Sequence, residues 1–159
     1  MKLRIIAVGK RMPAWVDAGF TEYAKRMPRG AAVELSEIKP EKRGQNAGNK
    51  TATQLLAIER GRIEAALGTD CYTVALDEHG EQLTTLQLAQ SVKRWMEGGR
   101  DAAFLIGSAD GLDAGLKRSA EMLLALSAMT LPHGLTRVIL AEQLYRAVSM
   151  LGNHPYHRA

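Results

Sequence analysis

Short apolar runs alternate with amphipathic stretches from one end of this chain to the other, and that rhythm restricts the fold more than any other feature. Residues 3–8, 32–38, 71–76, 102–106 and 122–126 each read as a strand. The run 102–106 is apolar throughout, as expected of a strand covered on both faces. Pro13 suits the first turn of a helix, and Val16, Phe20, Tyr23 and Met27 follow at helical spacing as one buried face. Thr51 with Gln54 and Thr84 with Gln87 have the capping-box pattern, in which side chains satisfy the free N–H groups of a helix start. The first of these helices stops at Gly68. The second buries Leu88, Val92 and Trp95 and stops at Gly98-Gly99. Residues 39–50 read as a polar loop and 77–80 as a turn. Strands alternating with helices predict an α/β fold with a mostly parallel sheet and flanking helices. The 159 residues show no repeat and no linker, so we expect one domain over 1–159.

Composition excludes several classes. At 46% hydrophobic and 24% charged, the chain is neither disordered nor collagen-like. No apolar run has the length of a membrane span, so no membrane partner is expected. The opening residues are too short for a secretory signal and are better read as the first strand. A single cysteine, Cys71, rules out an internal disulfide and suits a reducing cytoplasm. Cys71 reads as a small packed residue in preference to a catalytic thiol. The net charge of +4 permits an RNA partner through phosphate contacts without requiring one. Lys39, Lys42, Arg43 and Lys50 are read as a solvated loop first and as RNA contacts second.

Four segments carry candidate chemistry. A strand runs into the glycine-bearing loop Gly107-Ser108-Ala109-Asp110-Gly111, whose spacing is neither a dinucleotide fingerprint nor a P-loop. Another strand runs into Leu126, Ser127, Ala128, Met129, Thr130 and Leu131, then Pro132 and His133, with Pro132 holding the histidine in place. Strand ends of this kind are where ligands sit in open α/β sheets. Residues 135–151 form a helix with two apolar stripes. Val138, Ala141, Tyr145 and Val148 make one; Leu140, Leu144, Ala147 and Leu151 make the other. Arg137, Glu142, Gln143 and Arg146 are expected to stay polar. The sheet covers one stripe, and a second subunit is expected over the other. The ending, His154-Pro155-Tyr156-His157-Arg158, concentrates proton-transfer, stacking and phosphate-binding groups in a few positions. No cysteine or carboxylate stands at ligand spacing from these histidines, so no metal is expected.

Together these segments resemble one family, the SPOUT-class methyltransferases that make N3-methylpseudouridine in 23S ribosomal RNA. The residues that carry the resemblance are the opening MKLRIIAVGK, Leu76-Asp77, FLIGSADGL, LSAMTLPHGLTRVILAEQLYRA and the ending NHPYHR, which together reach across nearly the whole chain. The resemblance implies a deep trefoil knot in the C-terminal part, an exception to ordinary chain topology. It implies S-adenosyl-L-methionine held in that knot at Leu76, Gly107 and the run Leu126 to Leu131. It also implies a homodimer with the last helix near the interface, the assembled ribosome as partner, and a tail that completes the site. The family has two glycines where this chain has Gly107-Ser108; a left-handed backbone at 108 would strain a serine.

The resulting expectation is methyl transfer to the weakly acidic N3 of a pseudouridine, with His157, Tyr156, Arg146, His133 and Arg158 as the candidate catalytic groups. The base among them stays open. The alternatives are another RNA target, ribose 2′-hydroxyl or a different base, and a non-enzymatic ribosome-binding module.

Overall fold

The computed structural model describes residues 1–158, with side chains described through Tyr156. Its strands are β1 (Lys2–Val8), β2 (Ala32–Ile38), β3 (Cys71–Gln82), β4 (Asp101–Ile106) and β5 (Met122–Ala125). The helices are α1 (Ala14–Ala24), α2 (Ala52–Leu67), α3 (Thr85–Gly98), α4 (Ala114–Ser119) and α5 (His133–Leu151). The strands form one sheet in the order β2-β1-β4-β3-β5, every pairing parallel. The tail ends in a 3₁₀ turn, Pro155–Arg158.

Local signals explain most boundaries. Thr51 accepts from the Gln54 N–H at 3.2 Å, and the Gln54 side chain accepts from the Thr51 N–H at 2.8 Å. Thr84 and Gln87 repeat this reciprocal pair at 3.1 and 2.8 Å. Pro13 stands at the N-cap position of α1, where its carbonyl accepts from the Val16 N–H at 2.9 Å. The period-two alternation of the strands sorts the core into two layers. Leu3, Ile5, Ala7, Phe104 and Ile106 meet Phe20 of α1, Val92 and Trp95 of α3, and Leu140 and Leu144 of α5. Ile6, Val8, Ala103 and Leu105 point the other way and meet Ile63 of α2 and Leu116 of α4.

Three expectations change. Residues 77–80 do not end β3. They bulge out of it, so that Leu76 and Glu81 both stand opposite Leu124 of β5 and the strand continues to Gln82. A bulge inserts residues without breaking the pairing on either side, so polar turn residues are compatible with it. Helix α4 is too short for a periodic signal; Asp113 caps it by accepting from the Leu116 N–H at 3.0 Å. Most consequential is the cover of α5. Of its two apolar stripes only Leu151 is exposed. Helix α1 packs so closely that a Cβ on Gly134 would stand 2.8 Å from Val16. On the other flank the Thr85 hydroxyl donates to Gln143 Oε1 at 2.8 Å, tying α3 to α5. The protomer's own helices thus supply the second cover, and the wide apolar surface does not by itself require a partner. No helix among the described residues is long and apolar enough to cross a membrane.

Candidate active site

The carboxyl ends of β4, β3 and β5 open into a cleft of about 630 Å³. Three segments wall it: 106–112 after β4, the bulge at 76–79, and 124–136 leading into α5. Leu76, Gly107, Leu126, Ser127, Met129, Thr130 and Leu131 all line it. Ala128 belongs to the same loop but does not line the cleft. The walls are held to one another. Thr130 donates to Glu78 Oε2 at 2.7 Å, joining the bulge to the loop after β5. Ser127 Oγ accepts from the Met129 N–H at 2.9 Å and turns that loop on itself.

Two charged residues in the lining, Asp77 and Lys117, were not among the candidate site residues. Lys117 donates to Asp77 Oδ2 at 2.8 Å, and Asp77 Oδ1 accepts from the His79 N–H at 2.8 Å. Burial pushes the Asp77 carboxyl up, but Lys117 and the His79 N–H outweigh it and hold it below its ordinary value. A fixed carboxylate therefore stands in the cleft wall beside a fixed ammonium.

The Gly107 loop closes tightly. A Cβ on Gly107 would fall 2.4 Å from the Gly111 carbonyl group, so this glycine is required by the loop's own crossing. The left-handed turn is taken at Gly111, φ 81°, while Ser108 is not in that region. The strain anticipated at Ser108 is therefore absent, and its hydroxyl points inward to Glu59 and Arg43.

His133, at the first turn of α5, has both ring nitrogens engaged. Nδ1 donates to the Gly107 carbonyl at 2.9 Å, and Nε2 accepts from Arg137 Nε at 2.9 Å. Arg137, expected on a polar face, is instead fully buried. Its other nitrogens donate to Glu37 Oε2 at 2.8 Å and to the Gly9 carbonyl at 2.9 Å. Burial pushes the His133 pKa below its ordinary value, partly opposed by the Gly107 carbonyl, and the Arg137 charge adds to the lowering. The ring is therefore neutral, with no free lone pair, and ties the end of β4 to α5.

Against known proteins, residues 1–157 match the family model described as predicted SPOUT methyltransferase. The chain belongs to the SPOUT methyltransferase family. A relative from Janthinobacterium sp. (strain Marseille), named ribosomal RNA large subunit methyltransferase H, is 58% identical over 158 residues, 99% of each chain. A protein of the same name from Burkholderia thailandensis is 58% identical over 159 residues, the full length of both. Solved structures share the fold at low identity. A probable methylase family protein from Haemophilus influenzae Rd KW20 has a TM-score of 0.59 at 13% identity, covering 95% of this chain and 66% of that one. A probable methyltransferase from Bordetella pertussis Tohama I has a TM-score of 0.57 at 16% identity, covering 92% and 95%.

In this SPOUT methyltransferase the remaining candidate groups gather elsewhere. Arg146 donates to Glu142 at 2.9 Å, and the Tyr156 hydroxyl donates to the same carboxylate at 3.0 Å. The Arg146 guanidinium lies 4.8 Å from the Tyr156 ring centroid, and the Tyr145 ring lies 4.7 Å from it, tilted by 54°. Burial first, then Glu142, pushes the Tyr156 pKa up to about 12. Arg146 lies 13 residues beyond His133 on one helix, roughly 20 Å away at 1.5 Å per residue. Arg146 and Tyr156 are thus brought to each other, not to the cleft of their own chain. The side chains of His157 and Arg158 lie outside the described residues. No group of His, Cys, Asp and Glu among the described residues is placed to hold a metal ion.

Proposed function

We propose that the cleft binds S-adenosyl-L-methionine and that the protein methylates N3 of a pseudouridine in 23S ribosomal RNA, working as a homodimer. One observation carries the reading. Three walls from separate strand ends enclose a volume suited to a small organic molecule, within a SPOUT methyltransferase whose relatives are named for large-subunit RNA.

The lining fits such a cofactor. Leu76, Ile106, Leu126 and Leu131 offer apolar surface to an aromatic base, and Asp77 offers a carboxylate to a cationic amino group. When bound, the cofactor supplies an electrophilic methyl group. The protein's part is to hold the RNA base against it, exclude water and take the N3 proton. His133 is poorly suited to that last step, because both its nitrogens are bonded. Tyr156, pushed up to about 12, is a hydrogen-bond donor at neutral pH. His157 is the remaining histidine of the candidate set and takes the base role in this reading. Arg146 and Arg158 supply positive charge for the anion and for phosphate.

The separation of Arg146 and Tyr156 from their own cleft supports a composite site. A partner arranged about a two-fold axis can bring its tail to this cleft and receive this chain's tail in return. The trefoil knot belongs to the same reading, since the cleft loops are the ones it would tie. A ribosomal substrate and a single free cysteine fit a cytoplasmic protein.

Mass spectrometry of ribosomal RNA tests the proposal. A strain lacking the protein should lose one methylated pseudouridine and regain it on complementation. Loss of a methyl group from a ribose or another base instead would assign the alternative target. Unchanged RNA would remove the enzymatic reading.

A further inference from the structure

Arg43, in the segment between β2 and α2, uses all of its guanidinium N–H groups. Nε donates to Asp110 at 3.0 Å. Nη1 donates to the Glu41 carbonyl and to Glu59 Oε2, both at 2.6 Å. Nη2 donates to Glu59 Oε1 at 3.1 Å and to Ser108 Oγ at 2.7 Å. Glu59, in α2 and only 2% exposed, is equally saturated. Besides Arg43 it accepts from the Ser108 hydroxyl at 2.8 Å and from the Glu41 N–H at 2.9 Å. A guanidinium has five donors and a carboxylate about four acceptor sites, so neither partner has capacity left for solvent. The next residue of α2, Arg60, donates to Asp113 at 3.0 Å. Adjacent residues of one helix thus grip both ends of the loop that walls the cleft after β4.

We propose that Ser108, Arg43 and Glu59 form a positioning brace that sets the Gly107–Gly111 loop for cofactor binding and links it to residues 39–50. The inference rests on the cofactor reading above. A network fully satisfied around the buried Glu59 carboxylate holds one arrangement, because displacing Arg43 or Ser108 leaves that carboxylate short of a donor. Of these three, Ser108 lies within the cleft lining, and its hydroxyl both donates and accepts. Arg43 is correspondingly unavailable as a free phosphate contact. Its service to the site is to transmit the position of the basic segment to the loop.

The test compares Ser108→Ala, which deletes the hydroxyl, with Ser108→Thr, which keeps it. Val92→Ala, on the opposite face of the sheet, serves as a destabilised control. Amide exchange is followed at residues 107–111 in cofactor-free protein, and S-adenosylmethionine affinity by calorimetry. Ser108→Ala deletes two hydrogen bonds and should speed exchange and weaken binding about tenfold, while Ser108→Thr retains both. Val92→Ala should bind normally. Unchanged exchange in Ser108→Ala would overturn the brace, and so would faster exchange with unchanged affinity. Equal weakening by Val92→Ala would overturn it too. If wild-type protein binds no S-adenosylmethionine, the functional reading fails, and the exchange comparison still decides the brace.

Discussion

Arg137 donates from Nε to Nε2 of His133 at 2.9 Å, and that single bond assigns the tautomer of the ring. With Nε2 accepting, the proton sits on Nδ1 and is aimed at the Gly107 carbonyl. A buried arginine thereby reaches the cleft through a histidine, without touching the cleft itself.

Arg137→Met should cost about 2–4 kcal/mol, because the Gly9 carbonyl and the His133 ring lose their buried donor. His133 also makes a signed contribution with pH. Its folded pKa lies below the ordinary value of 6.5, so the unfolded chain binds the extra proton first. Its stabilising contribution is complete above about pH 6.5 and is lost as the pH falls toward the folded pKa. Urea unfolding across this range should show stability rising with pH. His133→Asn should flatten that slope, and an identical slope in the variant would deny His133 the role.

Glu59 acts lower on the pH scale. Burial pushes its carboxyl up, but Arg43, the Glu41 N–H and Ser108 outweigh burial and hold it below the ordinary 4.5. Its contribution is therefore present above about pH 4.5 and lost as the pH falls through the lower folded value. Glu59→Gln should cost about 2–3 kcal/mol at neutral pH, since Arg43 loses its buried counter-charge and keeps only the more exposed Asp110. The same variant should lose less additional stability on acidification than wild type. Thermal unfolding at neutral and acidic pH reads both effects.

Truncation after Asn153 removes the Tyr156 bond to Glu142 and its packing on Tyr145 and Arg146. The packed ring sets the expected cost at about 1–2 kcal/mol. The truncated protein should still fold and bind the cofactor, yet leave ribosomes unmethylated. Tyr156→Phe keeps the ring and should retain more activity than His157→Ala. Methylation at the wild-type rate by the truncated chain would dismiss the tail.

Mixing two defective chains tests the shared site. Ser127→Trp should fill the cleft and abolish cofactor binding while the fold persists. Combined with the truncated chain, it can restore one complete site per mixed dimer, made from an intact cleft and the partner's intact tail. Equal mixing makes half the dimers mixed, each with one working site of two, so about a quarter of wild-type activity should return. No recovery after demonstrated subunit exchange would place tail and cleft in the same chain.

Much of the fold was legible because it is written in local terms. Period-two runs, capping boxes and glycine stops depend on neighbours within a few residues, and the strands and main helices appear close to where they are expected. The cleft segments were legible too, since ligands favour the carboxyl ends of parallel strands and the family resemblance falls on the same loops. The burial of Arg137 is not legible in the sequence, because it is settled by Gly9 and Glu37, more than a hundred and about a hundred positions away in the chain. The inward turn of Ser108 depends on Glu59 and Arg43, and the cover of α5 on α1 and α3, none of them adjacent in sequence. The sequence by itself determined the five strands and the four longer helices, and the family resemblance added which loops are expected at the strands' carboxyl ends. Only the tertiary structure decided which charges are buried, which nitrogen of His133 holds the proton, and that Arg146 and Tyr156 stand apart from their own cleft. Secondary structure follows from periodicity along the chain, whereas burial and pairing follow from which distant residues the fold brings within hydrogen-bond reach.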